Sequence, residues 1–313
     1  MPQSQAQLFR PAQSSLKGIA LMCAALAVFS ILDTTAKYMA SVVKLPVTQV
    51  VWLRFVSQLV LIVVVVGAIT IPRLLITARL KHQLARSVLM LASTVMNFMA
   101  LRELRLDQTQ TVYFLAPFVV AGLAGPFLGE WFGWRRLVAI LVGFCGILVM
   151  VRPGFAAFEP ALLLAFGSML AYASFILITR YLAAYDPPEV TLFYSLLAGT
   201  FIMAPFAILD WQWPASPFIW VLLGSMGLWG GIGHYIFIIA YRHAPASTLA
   251  PFIYLGLITH AAGGYLVFGQ IPDRWTLAGA AIVIASGIYM LHRERVIHQQ
   301  RIAEQRLRAV QGT

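Results

Sequence analysis

The sequence predicts an all-α integral membrane protein with ten transmembrane helices, built as two inverted five-helix repeats. Hydrophobic residues make up 60% of the 313 positions and charged residues only 11%, about half the charged fraction of a typical soluble domain. Apolar stretches of membrane-spanning length recur from residue 16 to residue 291, with short polar breaks between them. The two halves of the chain also align with each other in order.

The apolar stretches are separated by breaks rich in turn-forming residues. Pro46, the segment 186–188 and the segment 271–273 are examples. Because these connections are short, consecutive helices should be antiparallel neighbours. We place the spans at residues 17–37, 48–69, 85–104, 109–128, 135–151, 160–181, 190–209, 217–240, 247–268 and 275–292.

The basic residues indicate how these helices are oriented. Short cytoplasmic loops of membrane proteins carry an excess of lysine and arginine. With the N-terminus inside, fifteen of the 22 basic residues lie in inner segments, six lie in outer segments and Arg54 lies within the second span. We therefore expect both termini in the cytoplasm, which requires an even number of spans. This placement accounts for the net charge of +11, and nucleic-acid binding is not expected.

The topology divides the chain into four segments. A cytoplasmic N-terminal segment covers residues 1–16, the first repeat 17–152, the second repeat 157–293 and a basic cytoplasmic tail 294–313. The first span should stay in the protein, because residues 1–15 lack the compact basic region of a cleaved signal. The tail could lie along the anionic inner leaflet, or it could be a solvated segment that enforces topology.

Several classes of chemistry have no support in the sequence. The two cysteines, Cys23 and Cys145, lie inside apolar stretches and are expected to be small buried hydrophobic residues. The sequence contains no Walker loop and no HExxH, GxSxG or CxxC pattern. No catalytic residue, metal site or cofactor is therefore predicted.

The internal repeat relates the two halves at a nearly constant offset of about 140 residues. Each repeat has five spans, an odd number, so the second repeat should enter the membrane from the opposite side. Two such repeats create a pseudo-two-fold axis in the membrane plane, with a cavity near the midplane. Exchanging the conformations of the halves would turn an inward-facing cavity outward. The paired residues include Ala100 with Ala240, Arg102 with Arg242, Leu115 with Leu255, Gly129 with Gly269, Trp134 with Trp275, Gly146 with Gly287, and Tyr38 with Tyr181.

Matching segments of the two halves carry a family resemblance. They are residues 114–117, 128–130 and 151–154 in the first half, and 240–242, 244–247, 250–254 and 268–273 in the second. Over nearly the whole chain, the sequence resembles the EamA-type ten-helix bacterial carriers of the drug/metabolite transporter superfamily. Gln270 replaces the glutamate usual in that family, and Pro117 aligns with Leu257. The resemblance implies secondary transport of a small organic metabolite across the bacterial inner membrane.

Polar residues inside the predicted spans are candidates for substrate binding. A charge in hydrocarbon costs about 2.5–3.5 kcal/mol, so such residues should face protein or water. The histidines could couple transport to proton movement or make ordinary interhelical hydrogen bonds. The aromatic residues could contact substrate or simply pack. The candidates are Asn97, Tyr113, Trp229, His234, Tyr254 and His260.

Four charged residues are candidates for ion coupling or for ion pairs. Asp33 and Lys37 lie one turn apart in the first span, and Arg54 lies at a similar depth in the second. Arg54 could bind a substrate carboxylate and Asp33 a proton, or Asp33 could form a structural ion pair with Arg54 or Lys37. Glu130 could pair with nearby arginines at a helix end or take part in proton coupling.

Together these features predict a secondary transporter that works by alternating access, with the proton as one candidate coupling ion. A membrane-embedded enzyme and a non-transporting scaffold subunit are the alternatives. The expected partners are a small-molecule substrate and membrane lipid, and the expected state is a monomer or a homodimer. A midplane cavity walled by helices three, four, eight and nine would favour transport over a scaffold role.

Overall fold

The computed structural model describes residues 12–66, 71–116, 118–120, 134–151, 159–182, 185–243, 249, 252, 254–289, 292 and 296. This part of the chain is helical and contains no strand. A helix satisfies its backbone hydrogen bonds internally, which a segment crossing lipid requires.

Ten α-helices of eight or more residues lie in the described part of the chain. Helix α1 continues for one π-helical turn, Tyr38–Val42, and the single turn Ile71–Leu74 precedes α3. The helices are α1 Ala12–Lys37, α2 Val47–Val66, α3 Leu80–Glu103, α4 Leu106–Tyr113, α5 Trp134–Val151, α6 Ala161–Leu182, α7 Pro188–Leu209, α8 Pro217–His243, α9 Gly256–Phe268 and α10 Arg274–Tyr289.

Among the described residues, six helical stretches are long and apolar enough to cross a membrane. They are Leu16–Val42, Val47–Val65, Leu80–Glu103, Ala161–Thr179, Glu189–Leu209 and Pro217–Phe237. Three shorter apolar helices, Leu141–Met150, Gly256–Phe268 and Arg274–Tyr289, coincide with the predicted fifth, ninth and tenth spans. The predicted fourth span, 109–128, lies partly outside the described residues. An all-helical membrane protein is thus confirmed, whereas the ten-span arrangement stays a prediction.

Sequence signals explain where two of the helices begin or end. Helix α7 starts at Pro188, a first-turn position where the missing N–H of proline costs no hydrogen bond. Helix α9 ends at Gly269, which adopts the left-handed conformation with φ 66°. The N–H groups of Gly269 and Gln270 then donate to the carbonyls of Tyr265 and Gly264, at 2.9 and 3.1 Å. This is a glycine cap, so the break after α9 is encoded locally.

The packing pairs of the two halves correspond. Adding five to the number of each first-half helix, and subtracting five from that of each second-half helix, turns one packing pair into another. Helix α1 packs on α8 and α3 packs on α6; α2 packs on α8 and α3 packs on α7; α1 packs on α9 and α4 packs on α6. The pairs α2 with α7 and α4 with α9 map onto themselves. Contacts of α3 with α1 and α2 lie within the first half.

Glycines set the closest helix approaches. Gly227 of α8 lies against the backbone of Ser57 and Gln58 on α2. In a second close approach, a Cβ added at Gly146 of α5 would lie 2.8 Å from the carbonyl oxygen of Gly279 on α10. Small residues allow helices to pack this closely in membranes, where apolar burial from water no longer drives association.

The expectation that both cysteines are buried is wrong for Cys145, which is exposed on α5; Cys23 is partly buried. Lipid is as apolar as a protein core, so an apolar stretch alone does not distinguish a buried position from a lipid-facing one. Among the described helices, many large apolar side chains are similarly exposed, for example Leu209 at 83% and Leu266 at 79%. Such surfaces fit contact with lipid.

Candidate functional site

Polar side chains from α1, α3 and α9 meet at Asp33. The Nδ2 of Asn97 donates to Asp33 Oδ1 at 3.3 Å, and His260 Nε2 lies 3.2 Å from Asp33 Oδ2. The His260 side chain is only 4% exposed, whereas that of Asp33 is 23% exposed. We call Asp33, Asn97 and His260 the carboxylate cluster. It joins three helices that are far apart in sequence.

Arg54 of α2 adds a buried positive charge beside this cluster. Its guanidinium donates to Thr94 Oγ1 of α3 at 3.2 Å and lies over the rings of Phe55 and Phe98, at 4.8 and 5.9 Å. It interacts electrostatically with Asp33. Within the described residues, however, the two form no direct ion pair. Asp33 and Arg54 therefore interact electrostatically, but they do not form the predicted salt bridge.

Two polar groups on α2 are buried without a hydrogen-bond partner in the described structure. They are the Nε of Arg54 and the side-chain amide of Gln58, one turn further along the helix. Both residues face Gly230 of α8: a Cβ there would lie 3.0 Å from Gln58 Oε1 and 3.8 Å from Arg54 Nε. Leaving a buried donor or acceptor unpaired costs about 1–3 kcal/mol. These groups are therefore suited to gain partners from a ligand or in another conformation.

Tyr113 of α4 is held by two serines. Its hydroxyl contacts Ser168 of α6 in a short hydrogen bond and Ser93 of α3 at 3.3 Å. Ser168 in turn donates to the carbonyl of Ser93 at 2.6 Å. Tyr113 also interacts electrostatically with Asp33 and Arg54. The tyrosine thus joins α4 to α3 and α6.

Helix α8 carries two further candidates, His234 and Trp229. The half-buried His234 ring makes an edge contact with Phe29 of α1, with 5.0 Å between ring centroids. His234 also interacts electrostatically with Arg54. Trp229 packs against the large apolar core to which α1, α2, α3, α4, α6, α7 and α8 contribute. His234 thus lies near the charge of Arg54, whereas Trp229 belongs to the apolar core.

Lys37 is placed away from Asp33, although the two lie one turn apart. Its Nζ donates to the carbonyls of Leu101 and Leu104, at 2.9 and 2.6 Å, at the end of α3. It also lies 5.3 Å from the ring centroid of Phe268. Cations stabilise the C-terminal ends of helices. Lys37 therefore caps α3 and makes no ion pair with Asp33 among the described residues.

One further candidate, Tyr254, does not join the cluster. Tyr254 is buried in a separate apolar core, with its ring 5.0 Å from that of Phe114 and its hydroxyl against Gly287 of α10. Glu130 lies outside the described residues. The structure thus brings together Asp33, Asn97 and His260, with Arg54 and Tyr113 in electrostatic contact with Asp33 and His234 in electrostatic contact with Arg54.

Sequence reasoning missed a polar stripe along α3. Its members lie three, four or seven residues apart, which places them on one side of the helix, and the structure turns most of them to the interior. Ser93 and Thr94 hold Tyr113 and Arg54, while Asn97 holds Asp33. The spacing was therefore a signal that could have identified α3 as the polar wall of the site. The stripe comprises Gln83, Arg86, Ser87, Ser93, Thr94 and Asn97.

A second polar network lies at the start of α3. Arg86 donates from Nε to Thr179 Oγ1 at 2.6 Å, and from a terminal nitrogen to the Thr191 carbonyl at 2.9 Å and to Ser195. Asp186, in the loop between α6 and α7, lies next to this network. Together they join α3 to the second half of the chain.

The Asp186 carboxylate accepts three hydrogen bonds. They come from Thr77 Oγ1 at 2.5 Å, the Ala78 N–H at 2.9 Å and Gln83 Nε2 at 2.8 Å. Burial raises the pKa of Asp186, but these three bonds to the ionised form outweigh that effect and lower the pKa below its ordinary value. The loop between α6 and α7 is thereby fixed to the segment preceding α3.

The described structure has an open groove elsewhere, of about 750 Å³. It lies near the end of α3 and the start of α6, and is lined by Glu103, Glu159, Pro160, Ala161, Leu163 and Leu164. The carboxylate cluster is not part of it. Among the described residues, no three histidine, cysteine or acidic side chains are grouped as a metal site would require.

Comparison with known proteins identifies relatives along most of the chain. The model of the EamA-like transporter family matches residues 16–152 and 159–292. The riboflavin transporter of Vibrio cholerae is 29% identical over 89% of this chain and 94% of its own length. The S-adenosylmethionine uptake transporter of Rickettsia prowazekii is 28% identical over 90% and 94%, respectively.

A more distant relative and a solved structure extend this comparison. The pseudopaline exporter CntI of Pseudomonas aeruginosa is 26% identical over 66% of this chain and 72% of its own length. A crystal structure superposes with a TM-score of 0.61 at 16% identity, covering 92% of this chain and 99% of the other. That similarity concerns the fold alone.

Proposed function

Because the chain belongs to the EamA-like transporter family, within the drug/metabolite transporter superfamily, we propose that it is a secondary transporter of a small organic metabolite. It works by alternating access in the bacterial inner membrane, with both termini in the cytoplasm. The sequence has no nucleotide-binding loop. Energy for accumulation therefore comes from a gradient.

The observation that carries this proposal is the convergence of polar residues at the carboxylate cluster. Asp33, Asn97 and His260 come from helices apolar enough to lie in lipid, and Arg54 adds a charge that is 4% exposed. Charged residues inside membrane helices are costly, and they mark substrate and ion pathways. The convergence of these residues, together with the unpaired Nε of Arg54, favours a transporter over a scaffold.

The helix packing supports alternating access. Shifting the numbering by five helices exchanges α1–α8 with α3–α6 and α1–α9 with α4–α6, while α2–α7 and α4–α9 map onto themselves. Because each repeat has five spans, an odd number, the two repeats would be related by a pseudo-two-fold axis in the membrane plane. We propose repeats at residues 17–152 and 157–293, and exchange of their conformations as the transport step.

The substrate contacts follow from the unpaired and partly exposed groups around the cluster. Asn97, Tyr113 and His234 are each partly exposed and supply hydrogen-bonding groups. Arg54 Nε and the Gln58 amide would pair with a carboxylate or amide of the substrate. Trp229 would stack on a planar group. His260 completes this site, from which Tyr254 is excluded by its apolar surroundings.

Counterflow in proteoliposomes tests the proposal. The relatives named as transporters of riboflavin and S-adenosylmethionine suggest these two compounds as the first radiolabelled probes. Asn97→Ala and Tyr113→Phe should each reduce exchange by about tenfold. Ser174→Ala is the control, because the Ser174 hydroxyl bonds its own helix at the Leu170 carbonyl.

The result that would overturn the proposed site is equally specific. If Asn97→Ala and Tyr113→Phe exchange substrate at the rate of Ser174→Ala, the residues do not line the substrate site. If a thermal-shift screen of metabolites and counterflow with every hit both give no signal, the transport proposal itself fails.

A further inference from the structure

His260 contacts two acceptors at once. Its Nδ1 lies 2.8 Å from the carbonyl oxygen of Gly256, one turn earlier in α9. Its Nε2 lies 3.2 Å from Oδ2 of Asp33 on α1. A carbonyl oxygen can only accept a hydrogen bond, so Nδ1 must carry a proton. The tautomer of the ring is fixed by this contact.

The contact between Nε2 and Asp33 requires one more proton. When a neutral imidazole is protonated on Nδ1, its Nε2 presents a lone pair, and an ionised carboxylate presents only acceptors. The 3.2 Å contact becomes a hydrogen bond if either Nε2 or Asp33 carries a proton. Asn97 already donates to the other carboxylate oxygen, Oδ1. Either form holds one proton more than a neutral histidine beside an ionised aspartate.

Charged and titratable groups on the neighbouring helices act on this pair directly or through one another. Arg54 and Tyr113 interact electrostatically with Asp33, and His234 interacts with Arg54 and Arg86. The positive charge of Arg54 compensates an ionised Asp33 when the proton leaves. The groups are Arg54 on α2, Arg86 on α3, Tyr113 on α4, His234 on α8 and, on α1 itself, Lys37, whose amine is held by carbonyls of α3.

From this count of donors, we propose that Asp33 and His260 share a bound proton and that this site couples transport to proton movement. The coupling rests on the proposed transport function, whereas the bound proton does not. When the proton leaves, two acceptors face each other across the α1–α9 interface. Ser30 of α1, which donates to the Thr259 carbonyl at 2.7 Å, then holds the interface without that bond. Proton loss therefore weakens the contact between α1 and α9.

The correspondence between the halves shows why this contact differs from its equivalent. The α1–α9 pair corresponds to α4–α6, where the hydroxyls of Tyr113 and Ser168 are bonded. Tyrosine and serine hydroxyls stay neutral near pH 7. Of these two interfaces, the one between α1 and α9 therefore changes strength with proton occupancy. A proton can thus favour one of two otherwise related conformations.

The bound proton can be tested without a substrate. Magnetic resonance of purified protein labelled with ¹⁵N-histidine and ¹³C-aspartate reports both partners at neutral pH, with His260→Gln and Asp33→Asn assigning the signals. We expect either a doubly protonated His260 or a protonated Asp33. A neutral His260 beside an ionised Asp33 would overturn the proposal.

His243 provides a matched control within the same sample. Its Nδ1 contacts the Ile239 carbonyl one turn earlier, at 3.0 Å, and among the described residues no carboxylate pairs with its ring. His243 therefore lacks the partner with which His260 would share a proton, and we expect the ring ¹⁵N signals of the two histidines to differ at neutral pH. Identical ring signals for His243 and His260 would show that Asp33 does not hold the extra proton.

The coupling is tested in proteoliposomes with two measurements: accumulation of the probe driven by a pH gradient, and exchange of the probe without a gradient. The ratio of the first to the second reports the coupling. With riboflavin or S-adenosylmethionine as the probe, His260→Gln and Asp33→Asn should lower this ratio by about tenfold, and His243→Gln should leave it at the wild-type value. An unchanged ratio would refute the coupling. A protonated pair, together with no signal in the metabolite screen and no counterflow of any compound tested, would instead refute the transport function and leave the proton site standing.

Discussion

Embedded charges in this protein have two distinct kinds of surroundings. Lys37 is surrounded by carbonyl oxygens at the end of α3, with both of its hydrogen bonds made to backbone. Arg54, at similar burial, has one hydrogen bond to a side chain and an unpaired Nε. A satisfied charge stabilises the fold, whereas an unsatisfied one is available to a ligand. Lys37 is therefore structural and Arg54 functional in our interpretation.

Replacement of Lys37 by methionine should destabilise the protein. The substitution removes two hydrogen bonds from a charged group, and we expect a loss of about 2 kcal/mol in unfolding free energy. The measurement is the thermal unfolding midpoint in detergent. Lys17→Met is the matched control, because Lys17 is exposed on the same helix. Equal midpoints for the two variants would show that Lys37 does not cap α3.

Sequence alone could place the polar residues but not their partners. Asp33, Asn97 and His260 stand out as polar residues in apolar stretches, yet their mutual contacts join α1, α3 and α9. The spacing of Asp33 and Lys37 suggested a pair one turn apart. The end of α3 lies within reach of Lys37, and its carbonyls bind the amine instead. Such a choice depends on tertiary packing, which local spacing does not contain.

At the scale of elements, Gly227 is the glycine of α8 that lies against the backbone of α2. A side chain at Gly227 would overlap the backbone of Ser57 and Gln58, whereas a Cβ at Gly224, one turn earlier on α8, would meet nothing within 4 Å. Gly227→Leu should therefore push the helices apart, lowering the thermal midpoint and reducing transport by about tenfold or more. Gly224→Leu is the control and should behave as wild type. If Gly227→Leu has the thermal midpoint and transport rate of the wild type, α2 and α8 do not pack closely at this position.

The loop between α6 and α7 should respond to acid through Asp186. Its lowered folded-state pKa means that its contribution to stability is complete above the ordinary pKa, 3.8, and is lost as pH falls below that value. Asp186→Asn should have a lower thermal midpoint at pH 7 and a smaller further loss on acidification than wild type. Asp210→Asn, which changes an exposed carboxylate, serves as control. If the thermal midpoints of Asp186→Asn and wild type fall in parallel as the pH is lowered, Asp186 does not make the loop sensitive to acid.

For the whole molecule, the fold class was predictable because composition and the length of apolar stretches decide it. The all-helical membrane architecture and the family follow from those features and from the matched segments. The sequence could not predict which helices of the two halves pack together, because apolar helices offer many equivalent faces to lipid and to each other. The symmetry of the packing is a property of the assembled bundle. It supplies a reason, beyond the span count, to expect two related halves.

The inverted arrangement predicts that equivalent loops lie on opposite sides of the membrane. Ile76, between α2 and α3, and Trp213, between α7 and α8, occupy equivalent loops and are 74% and 79% exposed. In a background with Cys23 and Cys145 replaced by alanine, we expect Trp213→Cys to react with an impermeant maleimide in intact cells. Ile76→Cys should react only after permeabilisation.

The labelling result decides between two symmetries. An odd number of crossings separates equivalent loops of the two repeats, so each repeat forms the opposite wall of a shared pocket and their exchange moves access across the membrane. If both cysteines react in intact cells, an even number of crossings separates them. The repeats would then be parallel, related by an axis along the membrane normal, and alternating access would require a different rearrangement of the same helices.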